Sequence, residues 1–250
     1  MDRSGPNWRE VDEVLAKYHL LHAEPHNGEI QVSGTFTISD GSDEIERYQI
    51  RILLRHDYPL SMPEVWEIGG RIPKTAERHV QPITGQACVM LPDQRWELWP
   101  VGRNLLHFVE GPIHSYFIGQ ALVERGEKWP AGEWAHDAFG VADYYAQLLK
   151  SPSLDATLNL LAAIGAPAIK GYIDCPCLSG KRLWHCHQGR VRDIRQRMGS
   201  AQALDARQRL LRDCERLAAN VVAVYPDAVT LRTRHAVFEL ARAGLNAASS

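Results

Sequence analysis

The sequence predicts an α+β protein in two parts, a first domain over residues 1–150 and a mostly helical module over residues 151–250. Three observations carry that prediction. An opening stretch with helical spacing gives way to strands in which apolar and polar residues alternate. A long segment without period follows. Beyond Ser151-Pro152-Ser153, which reads as a linker, the texture turns to alanine, leucine and arginine. The length agrees, because 250 residues exceed one small domain and suit one of ~150 residues plus a smaller one.

In chain order, Trp8, Val11, Val14, Leu15, Tyr18 and Leu21 recur at helical spacing, so the chain opens with an amphipathic helix laid on the core. Ile30, Val32, Phe36 and Ile38, then Tyr48, Ile50, Ile52 and Leu54, alternate with polar residues, and Asp40-Gly41-Ser42-Asp43 is turn chemistry between two antiparallel strands. After Tyr58-Pro59-Leu60-Ser61-Met62-Pro63, whose prolines preclude helix, Glu64 to Ile68 gives a third strand of the meander. From Gly69 to Pro100 the period disappears, and long structureless segments in compact domains are usually functional. Helical spacing resumes at Leu105, Phe108, Val109, Ile113, Tyr116 and Phe117, with Pro112 set to kink or restart that helix. Further helices are expected over 136–150, 154–164, 204–224 and 232–245. There is no internal repeat and no low-complexity tract.

The composition, 45% hydrophobic and 23% charged, is that of an ordinary globular protein. A net charge of -2 argues against a surface built wholly for nucleic acid, which would demand a basic excess. Arginine nevertheless crowds the last third, including Arg182, Arg190, Arg192, Arg195 and Arg197, whereas Asp12, Glu13, Asp40, Asp43, Glu44 and Glu46 weight the start with acid. No stretch has the ~18 apolar residues of a membrane span, and Met1 to Glu10 lacks the pattern of an export signal, so a cytoplasmic location is expected. Of the five cysteines, three fall within 175–186, which fits a reducing compartment where clustered thiols hold metal.

Cys88 is the one cysteine of the first domain and lies in the aperiodic segment near Gly85 and Ala87. The bland reading is a half-buried structural thiol, since cysteine is often a small hydrophobe. Its neighbourhood suggests more. The order helix, meander, Tyr-Pro-x-x-x-Pro-x-Val at Tyr58 to Val65, then His79, Gly85, Cys88, Trp96 and Pro100, resembles the ubiquitin-conjugating enzyme family over roughly Asn7 to Lys150. Trp96 follows Cys88 by eight residues, as a tryptophan follows the family's nucleophile, and Gly85 matches the glycine before it. The resemblance implies the conjugating fold and a thioester-forming transferase with Cys88 as nucleophile. Where the family has His-Pro-Asn, this chain has His79-Val80-Gln81, one residue nearer the cysteine. His79 then aligns with a mainly structural residue, and Gln81 with the asparagine whose amide supports the oxyanion; losing one such donor typically costs ~100-fold or more. Thioester exchange needs thiolate character and no triad. A papain-like hydrolase would need a histidine placed as base, and that family's local signature is missing. The chain looks most like the divergent bacterial conjugating enzymes that accompany cGAS-like nucleotidyltransferases in anti-phage CBASS operons. That likeness implies acceptance of a partner protein's C-terminal carboxyl, such as the nucleotidyltransferase's, on the cysteine, and its transfer or release in antiviral defence. Glu124 and Glu127 are candidates, by chain distance alone, for an acid that guides the amine.

Cys175, Cys177, Cys186 and His187 form two close pairs around a Ser-Gly turn, the tetrahedral ligand arithmetic of structural zinc. The run resembles the SEC-C motif, Cys-x-Cys, eight residues, then Cys-His, including Ser179-Gly180-Lys181. Four protein ligands close the shell, so Zn2+ would staple the fold. His185 is the alternative fourth ligand, and an accidental cluster is the bland reading. Cys214, among Leu210, Leu211, Leu217 and Val221, reads as core. Beside the transferase stand two other readings, a binding module that keeps the conjugating fold without catalysis, and a zinc-containing nucleic-acid-associated protein whose basic module would dock nucleic acid or an acidic partner.

Overall fold

A computed structural model describes residues 6–40, 43–130 and 137–224. The chain is α+β and forms two compact units, Met1–Glu133 and Trp134–Ser250.

In the first unit, helix α1 (Pro6–Lys17) buries Trp8, Val11 and Val14. It stops four residues before the end of the apolar repeat, because Leu21 belongs to a strand. The sheet has four antiparallel strands in sequential order, β1 (Leu21–His26), β2 (Glu29–Asp40), β3 (Asp43–Leu54) and β4 (Glu64–Glu67). β1 adds a strand to the expected meander. Leu-His-Ala-Glu-Pro-His has little strand propensity and is largely exposed beyond Leu21, as an edge strand allows, and an edge tolerates Pro25. Its signal was the turn. Asn27 (φ 51) and Gly28 (φ 83) supply the two left-handed residues of a tight hairpin.

The inner face comes from alternation, with Val32 opposite Ile52 and Phe36 opposite Tyr48. Phe36, Ile50, Ile52 and Val65 are fully buried there. Gly34 interrupts the row for a steric reason. A Cβ there would stand 2.3 Å from the Leu20 carbonyl oxygen, which accepts the Thr35 N–H just before β1 begins. The core is closed by one continuous helical run, α3 (Leu105–Phe108), a π-helical turn (Val109–Ile113) and α4 (His114–Glu124). Pro112 neither breaks nor restarts it; the widened turn accommodates a residue that lacks an N–H.

The second unit holds α5 (Asp137–Leu149), α6 (Leu154–Gly165), α7 (Gln188–Met198) and α8 (Ser200–Val224). α6 packs on the other three, and α5 also packs on α8. The contact units divide before α5, and Ser151-Pro152-Ser153 is the short connection from α5 to α6. α7 was not expected. Its arginines mask Val191, Ile194 and Met198, which recur at helical spacing and are buried. Cys214 is buried, and the helix expected over 232–245 lies outside the described residues. No helix among the described residues is long and apolar enough to cross a membrane.

Candidate functional site

The aperiodic segment after β4 is held by backbone bonds instead of regular structure. Ala87 N–H donates to the Val65 carbonyl (2.7 Å), fastening the segment to the edge of β4. A second short ladder doubles it back on itself. Cys88 N–H donates to His79 O and Gln81 N–H to Gln86 O, each at 2.8 Å, with Val80 bridged to Ala87 between them. Gly85 (φ 71) makes the turn, and its N–H donates to Gln81 O at 2.8 Å. Trp66 Nε1–H donates to Thr84 O (3.2 Å) from the sheet side. Val80 and Ala87 are buried, while Cys88, the next residue, is exposed.

His79 and Cys88 are thus joined through their main chains. His79 sits in the left-handed region (φ 49), half-buried, with its ring 4.5 Å from that of Trp129. Gln81 lies farther along the ladder. Its Oε1 accepts from Thr84 N–H (2.6 Å) and Thr84 Oγ1–H (3.1 Å), so this amide builds the turn that ends at Gly85. Trp96 is buried in the short helix α2 (Arg95–Leu98). Arg95 in that helix donates to the carbonyls of Pro59 and Leu60, and its guanidinium lies 4.8 Å above the Trp99 ring, tying the post-cysteine helix to the Tyr-Pro loop.

Two residues near the candidate site, Tyr116 and Gln120, were missed in the sequence, and Glu124 was singled out only by its distance along the chain. Tyr116, Gln120 and Glu124 stand one turn apart on α4 and all reach Arg78, the residue before His79. Glu124 accepts from Tyr48 Oη–H (3.2 Å) and Arg71 (2.5 Å) as well. Those bonds and Arg78 tie Glu124 to three partners from other parts of the first unit. Burial pushes the Tyr116 phenol well above the usual tyrosine range; a hydrogen bond with Gln120 works against this, and negative charge on Cys88 adds to it.

In the second unit, Cys175, Cys177, Cys186 and His187 converge, their ligand atoms all within 4.8 Å of one another. Cys175 Sγ and His187 Nδ1 are 3.3 Å apart, Cys177 and Cys186 Sγ 3.5 Å, and Cys186 Sγ and His187 Nδ1 3.0 Å. Tetrahedral ligands at about 2.0–2.3 Å from an ion would be about 3.5–3.8 Å apart, so the donor set fits a four-coordinate metal ion. The hairpin that delivers the ligands is closed by Cys175 N–H to Lys181 O (2.7 Å) and turned by Leu178 (φ 65) and Gly180 (φ 73). His187 Nδ1 faces the thiols, so its Nε2–H points the other way, 3.4 Å from Lys150 O, the outer bond that fixes a ligating imidazole. His185 is outside the cluster, its ring 5.6 Å from that of Trp184. Burial holds the Cys175 thiol up at about 12. At Cys177 burial acts the same way, but hydrogen bonds with Ser179 and Cys175 outweigh it and bring the thiol down to about 6.

Comparison with protein-family models, curated proteins and solved structures returns no match for the chain.

Proposed function

We propose that the first unit is a thioester-forming acyl transferase of the ubiquitin-conjugating type, with Cys88 as nucleophile, and that the cluster in the second unit binds structural zinc. One observation carries the transferase reading. The Cys88 thiol is exposed while its main chain is bonded to His79, and its neighbour Ala87 to β4, so a reachable nucleophile stands on a fixed backbone. The Cys88 thiolate attacks the carbonyl carbon of a donor protein's C-terminal thioester. A new C–S bond forms, the old one breaks, and the departing thiolate takes up the proton that Cys88 gave up. An amine then attacks the Cys88 thioester, a C–N bond forms, and Cys88 leaves as the thiol. Gln81, its oxygen already engaged by Thr84, would present its amide nitrogen to the oxyanion. The residue pattern that resembles CBASS conjugating enzymes makes a cGAS-like nucleotidyltransferase the proposed donor, in anti-phage defence. Three thiols and one imidazole are the donor chemistry of structural zinc.

Mixing the protein with a donor thioester should give an adduct that dithiothreitol cleaves. Cys88→Ser should give an ester that dithiothreitol leaves intact, and Cys88→Ala none. Failure of the wild type to form an adduct with any donor thioester would sink the reading. A second reading, a conjugating-fold binding module without catalysis, is favoured by Gln81, whose amide oxygen serves the loop. It requires Cys88→Ala to bind the partner as the wild type does and Cys88 to alkylate slowly.

A further inference from the structure

We infer that Gln120 is a positioning residue for Cys88, acting through the peptide at Arg78; the inference rests on the transfer reading above. Gln120 is fully buried on an otherwise apolar helix face, among Tyr116, Phe117 and Ala121. An amide in such a place is costly unless both its ends are bonded. Both are. Nε2–H donates to the Arg78 carbonyl at 2.6 Å, and Oε1 accepts from Arg78 Nε–H at 2.8 Å, so one side chain grips residue 78 by its backbone and its guanidinium. One turn before, Tyr116 Oη–H donates to the same carbonyl at 3.3 Å; one turn after, Glu124 lies 3.6 Å from an Arg78 nitrogen.

The clamp leads straight to the thiol. Arg78 closes the turn Ala76–Arg78, and His79 follows in a left-handed conformation that a residue with a Cβ resists. His79 is held from two sides. Its N–H donates to Ala76 O (2.8 Å), and its carbonyl accepts the Cys88 N–H (2.8 Å). A shift of the Arg78 carbonyl must therefore turn the His79 peptide and carry the Cys88 backbone with it. Charge on Cys88 acts on the Tyr116 phenol, which places the sulfur within electrostatic reach of the same stripe of α4.

The test uses the full chain and follows Cys88 alone. Alkylation by iodoacetamide is measured on the Cys88 peptide by mass spectrometry from about pH 6 to about pH 10, the range in which cysteine titrates. Gln120→Glu keeps the acceptor for Arg78 Nε–H and removes the donor to its carbonyl. Arg78→Lys keeps the carbonyl and removes the guanidinium arm. Ile38→Val, a core change away from the clamp, controls for lost stability. The expected result is an alkylation profile displaced in Gln120→Glu, near wild type in Arg78→Lys and Ile38→Val, with adduct formation from a donor thioester lowered about tenfold in Gln120→Glu alone of these three. A Gln120→Glu profile that overlays the wild type, or is matched by Ile38→Val, overturns the inference. Gln120→Met removes both arms without adding charge, so its profile must be displaced as well, and it stands in should Gln120→Glu not fold. Displacement in Gln120→Glu but not in Gln120→Met is the effect of the new carboxylate on the thiol and overturns the inference. A displaced profile in a protein that never forms the adduct upholds the positioning role and sinks the transfer reading, so the two fail separately.

Discussion

Glu46 shows what one half-exposed carboxylate contributes in the first unit. A 2.8 Å ion pair to Arg71 joins it to a network in which Arg71 also reaches Glu124, and its guanidinium lies 4.5 Å above the Tyr48 ring. The hydrogen bond from Arg71, helped by Arg47 N–H, holds the Glu46 carboxyl down at about 2, against an ordinary 4.5. Its folded value lies below its unfolded one, so between those limits the unfolded chain binds more protons. The contribution is complete above pH 4.5 and is lost as pH falls towards 2. Because the group is partly solvated, screening leaves about 0.5 kcal/mol. Urea unfolding of Glu46→Gln, followed by tryptophan fluorescence, should show that deficit at neutral pH and none near pH 2; an equal deficit at both would refute the assignment. At this scale the sequence was legible where ligand chemistry resides in a residue type, as at the Cys175 cluster. It was silent at Gln120, because a glutamine in an apolar helix acquires meaning only when Arg78 arrives from another part of the chain.

Helix α6 begins at a cap that local sequence dictates. Ser153 is extended (φ -159, ψ 163), and its side chain accepts from Ala156 N–H at 3.2 Å, relieving one of the donors that a helix start leaves unpaired. Thr157, fully buried, donates to the Ser153 carbonyl at 3.0 Å and shares a 2.5 Å bond with Ser151. Ser153→Ala should cost about 1 kcal/mol of second-unit stability in chemical denaturation, whereas Ser153→Asp should be close to neutral. A cost shared by both would point to packing instead. Elements with strong periodicity, such as β2, β3 and α6, were legible because one buried face imposes its period on the residues. β1 and α7 were not. An edge strand buries too little to alternate, and α7 spends Arg190 and Arg195 on the carbonyls of Leu148 and Ala166, a pairing that looks in the sequence like a solvated charge run.

For the second unit as a whole, the Cys175–His187 cluster lies on the chain between α6 and α7, on a hairpin bonded by Cys175 N–H to Lys181 O, Leu183 N–H to Ile173 O and Trp184 N–H to Gly171 O. Binding requires deprotonated thiols, so metal loss and local unfolding should come together. Elemental analysis should find one zinc per chain, and a chelator or Cys186→Ser should expose Leu183, now buried, with faster proteolysis over 171–187. A metal-free chain with unchanged proteolysis there would end the structural-zinc assignment. The sequence by itself determined the α+β class, the four-ligand cluster and the single thiol in an aperiodic segment, because period and ligand spacing are local and survive in one dimension. Only the tertiary structure decided that α5 belongs with the second unit, that His187 and not His185 joins the thiols, and that α4 grips the residue before His79. Those outcomes depend on which distant groups meet in three dimensions, and burial makes each meeting specific by penalising any polar group left unpaired.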